Sequence, residues 1–141
     1  MASDLVIDPS DFDAIGLLTD AIVSLRAHVM VNEIDASATV TAPEGWHSLV
    51  INAKQGGSSV LVVRFNELSN SRLRNVADAL SKRGWQLDED REGATLRQPP
   101  GTSATDSAFE VLSSIGVGGA PNSPRTLVAR DAHDNEVDLH P

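Results

Sequence analysis

The apolar and polar positions along the chain predict an opening helix. Ile15, Leu18, Ile22, Leu25 and Val29 recur at spacings of three and four, the period of one helical face. Ahead of them stands Asp8-Pro9-Ser10-Asp11. Asp8 suits an N-cap and Pro9 the first helical position, while Asp11 and Asp13 suit the positive end of the helix dipole. The expected helix has about 18–20 residues, and its seam is too short to specify a coiled coil. A core-facing amphipathic helix is the principal reading, with a partner-binding face as the alternative.

The pattern then changes period. Ala36–Thr41 (ASATVT) is rich in β-branched residues and runs into the turn Pro43-Glu44-Gly45, as a short strand does. Trp46–Lys54 is a second strand, the glycine-rich turn Gln55-Gly56-Gly57-Ser58 follows, and Ser59–Phe65 is a third. The last is almost continuously apolar, which predicts the central strand. Short connections allow only antiparallel pairing. A second helix runs from the cap Ser69 to Arg83, with Leu73, Val76, Ala77 and Leu80 on one face and Gly84 at the C-terminal stop. Two short strands, Trp85–Leu87 and Ala94–Arg97, flank the charged turn Asp88–Gly93. A third helix covers about Ser103–Val117, with Ser107 and Glu110 spaced as a capping box and Phe109, Leu112 and Ile115 on one face.

The predicted fold is thus α+β with an antiparallel sheet and the order α-β-β-β-α-β-β-α. Residues 1–118 form the domain. Residues 119–141 form an acidic C-terminal extension with one short strand at Arg125–Ala129.

Composition narrows the function more than it defines it. The 141 residues contain no cysteine, which excludes disulfides, thiolate metal sites and a cysteine nucleophile and suits a reducing cytoplasm. Twenty acids against eleven bases give a net charge of -9, so nucleic acid is not expected as a partner. The charge is uneven. Residues 1–35 carry seven acids and the single base Arg26, residues 64–97 are nearly balanced, and residues 131–141 carry four acids and no base. The acidic N-terminus lacks the form of a signal peptide, and no apolar run approaches the ~20 residues of a membrane span. A cytoplasmic protein with no membrane partner is expected.

Candidate chemistry is sparse. As a strand, the C-terminal run would set Asp134, Glu136, Asp138 and His140 on one side, but the spacing matches no metal motif, so no metal or other cofactor is expected. Gly116-Val117-Gly118-Gly119 leaves a helix C-terminus, the wrong end for phosphate. His28 and His47 stand alone, and Asp88 and Asp90 lie in a charged turn with nothing to desolvate them. No nucleophile motif occurs, and no catalytic residue is assigned.

The order of elements resembles the small, acidic peptide-binding chaperones of type III secretion and their YbjN-like and actinobacterial relatives, the TY-Chap group. The block Leu68-Ser69…Leu73…Leu80…Gly84-Trp85 is similar to the family's middle helix, and Ala108-Phe109…Val111-Leu112…Ile115-Gly116-Val117 to its closing helix. The resemblance implies a homodimeric, non-enzymatic adaptor that holds an extended segment of a protein or peptide client against its sheet and helices. It directs the dimer interface to Leu73, Val76 and Leu80. The client-binding residues expected are Trp46, Leu49 and Ile51 on the second strand and Trp85 beside the middle helix, through β-strand addition and apolar pockets. Two rivals stand beside this reading: a structural or regulatory subunit docking through the N-terminal helix, and a metal-dependent enzyme using the acidic C-terminus.

Overall fold

The structure, a computed structural model, describes residues 5–42, 47–65, 69–89, 92–118 and 124–139. Its elements are β1 (Leu5–Ile7), α1 (Ala14–Asn32), β2 (Ala36–Thr41), β3 (His47–Ala53), β4 (Ser59–Phe65), α2 (Asn70–Lys82), β5 (Gln86–Leu87), β6 (Gly93–Gln98), α3 (Ala104–Gly118), β7 (Arg125–Asp131) and β8 (Glu136–Val137). The chain is therefore α+β, with three helices and one sheet whose pairings are all antiparallel.

The sheet order is β1-β7-β2-β3-β4-β6-β5, with β8 added to β7. The middle position belongs to β3, not to the more apolar β4. Apolar content there reports a fully buried inner face, Ser59, Leu61, Val63 and Phe65, whereas position is set by how the strands beyond it pair. The segment expected as an extension supplies β7, which pairs along its length with β2 and also carries β1. Ala38 and Thr39 are partnered with Ala129 and Val128.

Strand alternation divides the sheet into two faces. The helices pack over one, where Leu5, Ile7, Val40, Leu49, Ile51, Leu61, Val63 and Leu127 meet Leu18, Ile22, Leu25 and Val29 of α1 and Val111 and Ile115 of α3 in one cluster. By length and hydropathy α1 is apolar enough to cross a membrane, yet six of its side chains are buried in this core. The third helix lies against the first; the second covers the β5–β6 end through Val76 and Leu80.

Local chemistry redraws two of the expected helix caps and keeps a third. Asp8 does not cap α1: its carboxylate accepts from the Ser10 amide at 2.9 Å and closes a turn, and the helix begins at Ala14. Ser69 caps α2 as expected, accepting from the Arg72 amide. The cap of α3 is Ser103, which accepts from the Asp106 amide at 3.0 Å. Ser107 and Glu110 are no capping box, because both side chains are engaged elsewhere. Phe109, expected on the packed face, is 56% exposed and lies under the Arg83 guanidinium, 5.6 Å from its ring centre.

Candidate functional site: the uncovered face of the sheet

Period-two alternation that buries one face leaves the other to solvent unless a second layer covers it. Here the three helices all use the inner face. The outer face carries Val6 of β1, Thr126, Val128 and Arg130 of β7, Ser37, Thr39 and Thr41 of β2, and Ser48, Val50 and Asn52 of β3. It continues through Val60, Val62 and Arg64 of β4 to Thr95 and Arg97 of β6.

Register aligns the apolar members of this set. Val128 lies opposite Thr39, Thr39 opposite Val50, Val50 opposite Val62 and Val62 opposite Thr95. Five β-branched side chains thus form one row across five strands. Most are half-buried by their neighbours, but Val128 is 40% exposed and nearby Val6 is 58% exposed. A polar row flanks each side: Arg130–Ser37–Asn52–Val60–Arg97 on one, and Thr126–Thr41–Ser48–Arg64 on the other.

Charge sits only at the ends of these flanking rows. Arg64 meets Asp88 at 3.1 Å and Glu92 at 3.7 Å. Arg130 meets Asp134 at 3.4 Å and Glu136 at 3.9 Å. The Asp134 and Glu136 carboxylates, foreseen as metal-ligand candidates, are thus engaged with an arginine, and His140 lies outside the described residues. At the far side β5 pairs only with Thr95 and Ala94 of β6. Among the described residues, the outer edge of Leu96–Gln98 has no strand beside it.

The client-binding residues expected from the sequence lie elsewhere. Leu49 and Ile51 are 0% and 1% exposed, in the core on the inner face of β3. Trp85 is 3% exposed, and its Nε1 donates to Glu110. Trp46 lies outside the described residues. Val76 and Leu80, expected at a dimer interface, are 2% and 0% exposed and pack on this chain's own sheet; only Leu73 is half-exposed. Apolar identity marks a residue for burial without saying which surface does the burying. The outer row was hidden for the converse reason: Val50 and Val62 look like core residues in isolation, and only the pairing puts them on the face that, among the described residues, no helix covers.

Among the described residues, the one imidazole–carboxylate pair, His28 with Asp131, joins two elements of the fold. His28 Nε2 lies 2.9 Å from an oxygen of Asp131, joining the last turns of α1 to the end of β7. The other oxygen of Asp131 accepts from the amides of His133 and Asn135, both at 3.0 Å. The hydrogen bond with His28 holds the carboxyl of Asp131 below its ordinary value; partial burial opposes this, and the two amides reinforce it. Asn32 Nδ2 lies 3.3 Å from the remaining ring nitrogen of His28. Among the described residues, no group of three histidine, aspartate or glutamate side chains is placed to hold a metal.

No family model matches the chain, and neither the curated proteins nor the solved structures include a match to it.

Proposed function

We propose that the protein is a non-enzymatic binder of protein or peptide segments, a chaperone-like adaptor in the manner of the small acidic secretion chaperones. The observation that carries this reading is the in-register row Val128–Thr39–Val50–Val62–Thr95 on a sheet face that, among the described residues, no helix covers. An extended client segment laid across such a row buries alternate side chains on it. The outer edge of β6 at Leu96–Gln98, beside which the described residues place no strand, offers main-chain hydrogen bonds for strand addition. In this reading the work is done in the cytoplasm, by a homodimer and without a cofactor.

Photo-crosslinking in native extract tests it. A benzophenone side chain at Val62 or Val128 should give a discrete protein adduct that a benzophenone at exposed Asp78 of α2 does not. Equal labelling at all three positions would sink the reading. Light scattering on the purified chain tests the homodimer, which a monomer at high micromolar concentration would exclude.

A second reading has its own observation. The first helix leaves Val23, Met30 and Val31 between 52% and 75% exposed, an apolar outer side suited to docking on a larger assembly. Val31→Asp would then abolish assembly without touching the sheet face.

A further inference from the structure

Where the last turns of α1 approach the turn between β3 and β4, the chain leaves a groove of about 760 Å³, within the range of small-molecule sites. One wall is apolar and comes from Val23, Ala27 and Met30 of α1. Ala104 at the start of α3 and the backbone of Gly56 and Gly57 complete it. Both glycines have left-handed φ angles, 91° and 96°, so this turn brings its main chain to the groove without side chains. Val23 and Met30 are 52% and 75% exposed, leaving apolar surface in water along the groove.

Arg26 also lines the groove. It is the only base in residues 1–35. Its Nη1 donates to the Thr102 carbonyl at 2.7 Å, and its Nη2 to the hydroxyls of Ser107 at 3.0 Å and Ser59 at 3.5 Å. Ser107 in turn donates to the Gln98 side chain. Ser59, Ser107 and Gln98 are 3%, 0% and 8% exposed. The guanidinium therefore caps a buried polar chain made only of neutral oxygens. Its Nε–H is buried and makes no hydrogen bond. Arg64, Arg83 and Arg130 each meet a carboxylate; among the described residues Arg26 meets none.

A cation partly withdrawn from water without an anion carries a desolvation cost, and that burial lowers the affinity of Arg26 for its proton. The other charges at the groove do not supply the missing anion. Lys54 faces Asp35 at 3.8 Å, and Glu33 follows the last turn of α1 in a left-handed conformation. We propose that the groove binds a single-chain anionic amphiphile, with its carboxylate on the Arg26 guanidinium and its alkyl chain along Val23, Ala27 and Met30. The carboxylate supplies acceptors for a guanidinium that now has only neutral ones. The alkyl chain removes the exposed apolar wall from water. This site is independent of client binding on the opposite face of the sheet.

Calorimetric titration of the full chain with dodecanoate, dodecanol and dodecyltrimethylammonium, each below its micelle concentration, tests the proposal. Dodecanoate should saturate one site, dodecanol should bind about tenfold more weakly or worse, and the cation should not bind. Arg26→Met should reduce dodecanoate to the affinity of dodecanol, and Ala27→Phe, which fills the groove, should weaken both. If circular dichroism shows that Arg26→Met does not fold, the headgroup series and Ala27→Phe decide alone. The proposal is overturned by absent or headgroup-indifferent binding, by a folded Arg26→Met that binds dodecanoate like the wild type, or by Ala27→Phe without effect. An acidic peptide that binds the groove where dodecanoate does not would overturn it equally.

Discussion

The indole Nε1 of Trp85 donates to Glu110 Oε2 at 3.1 Å, and that bond fixes the residue after α2 to the side of α3. Glu110 also receives the Arg83 fork, with Nη2 at 2.9 Å and Nε at 3.3 Å. One carboxylate thus satisfies a buried donor and a charged one. Glu110→Ala should cost about 1–3 kcal/mol in urea unfolding, because it leaves the indole N–H buried without an acceptor. Glu110→Gln keeps one oxygen and should lose about half as much. Equal losses for the two variants would show that the indole bond contributes nothing.

Acid should weaken the link between α1 and β7. The folded state holds the Asp131 carboxyl below its ordinary 3.8, chiefly through His28. The folded chain therefore binds that proton less readily than the unfolded one. The stabilisation is complete above about pH 4 and fades as pH falls through the lowered value. Asp131→Asn should be less stable than wild type at neutral pH, and the two should converge as pH falls below 3.8 through the lowered value. A gap that stays constant throughout acid titration of the folded chain would remove Asp131 from the acid response.

Two glycines should respond in opposite directions to alanine. A Cβ on Gly93 would lie 2.6 Å from the Val63 carbonyl oxygen, 2.7 Å from an Asp88 carboxylate oxygen and 2.9 Å from Arg64 Cδ. Backbone cannot swing aside as a side chain can, so Gly93→Ala should destabilise by about 1–3 kcal/mol. Gly16 in α1 has nothing within 4 Å of that position, and Gly16→Ala should stabilise by about 0.5–1 kcal/mol. Thermal unfolding of both variants checks the pair.

The outer face should reveal its register through charge. Val50 and Val62 lie directly opposite each other. Val50→Lys and Val62→Glu together should be more stable than their separate costs add up to, by about 0.2–1 kcal/mol. A coupling of zero would place the two residues out of register. Each single variant should also lose client crosslinking while remaining folded.

Local periodicity made the three helices and the β2–β3–β4 meander legible in the sequence, because each is announced within a window of a dozen residues. Ser69 as a cap and Gly84, with φ of 91°, are equally local. The strand β1 was not legible: Leu5–Ile7 is too short to show a period, and it exists only because β7 is beside it. The place of β7 was not legible either, since Thr39 and Val128 meet across most of the chain. Candidate site residues suffered from the same gap. Leu49, Ile51 and Trp85 have the composition of binding residues and the positions of core residues. Arg26 did leave a signal, a lone base within an apolar helix, but its neutral partners come from β4, α3 and the turn before α3.

The insertion of β7 between β1 and β2 sets the order in which the molecule can be built. Each strand from β2 to β4 finds its partner soon after synthesis, but β1 must wait for residues 125–127. Until they emerge from the ribosome, β2 presents a free edge of alternating alanine, threonine and valine, and β1 has no neighbour. The strand β1 is thus made before β2 yet placed only after β7. A nascent chain of this kind depends on residues 125–131 to close a sheet that is otherwise open to pairing with another copy.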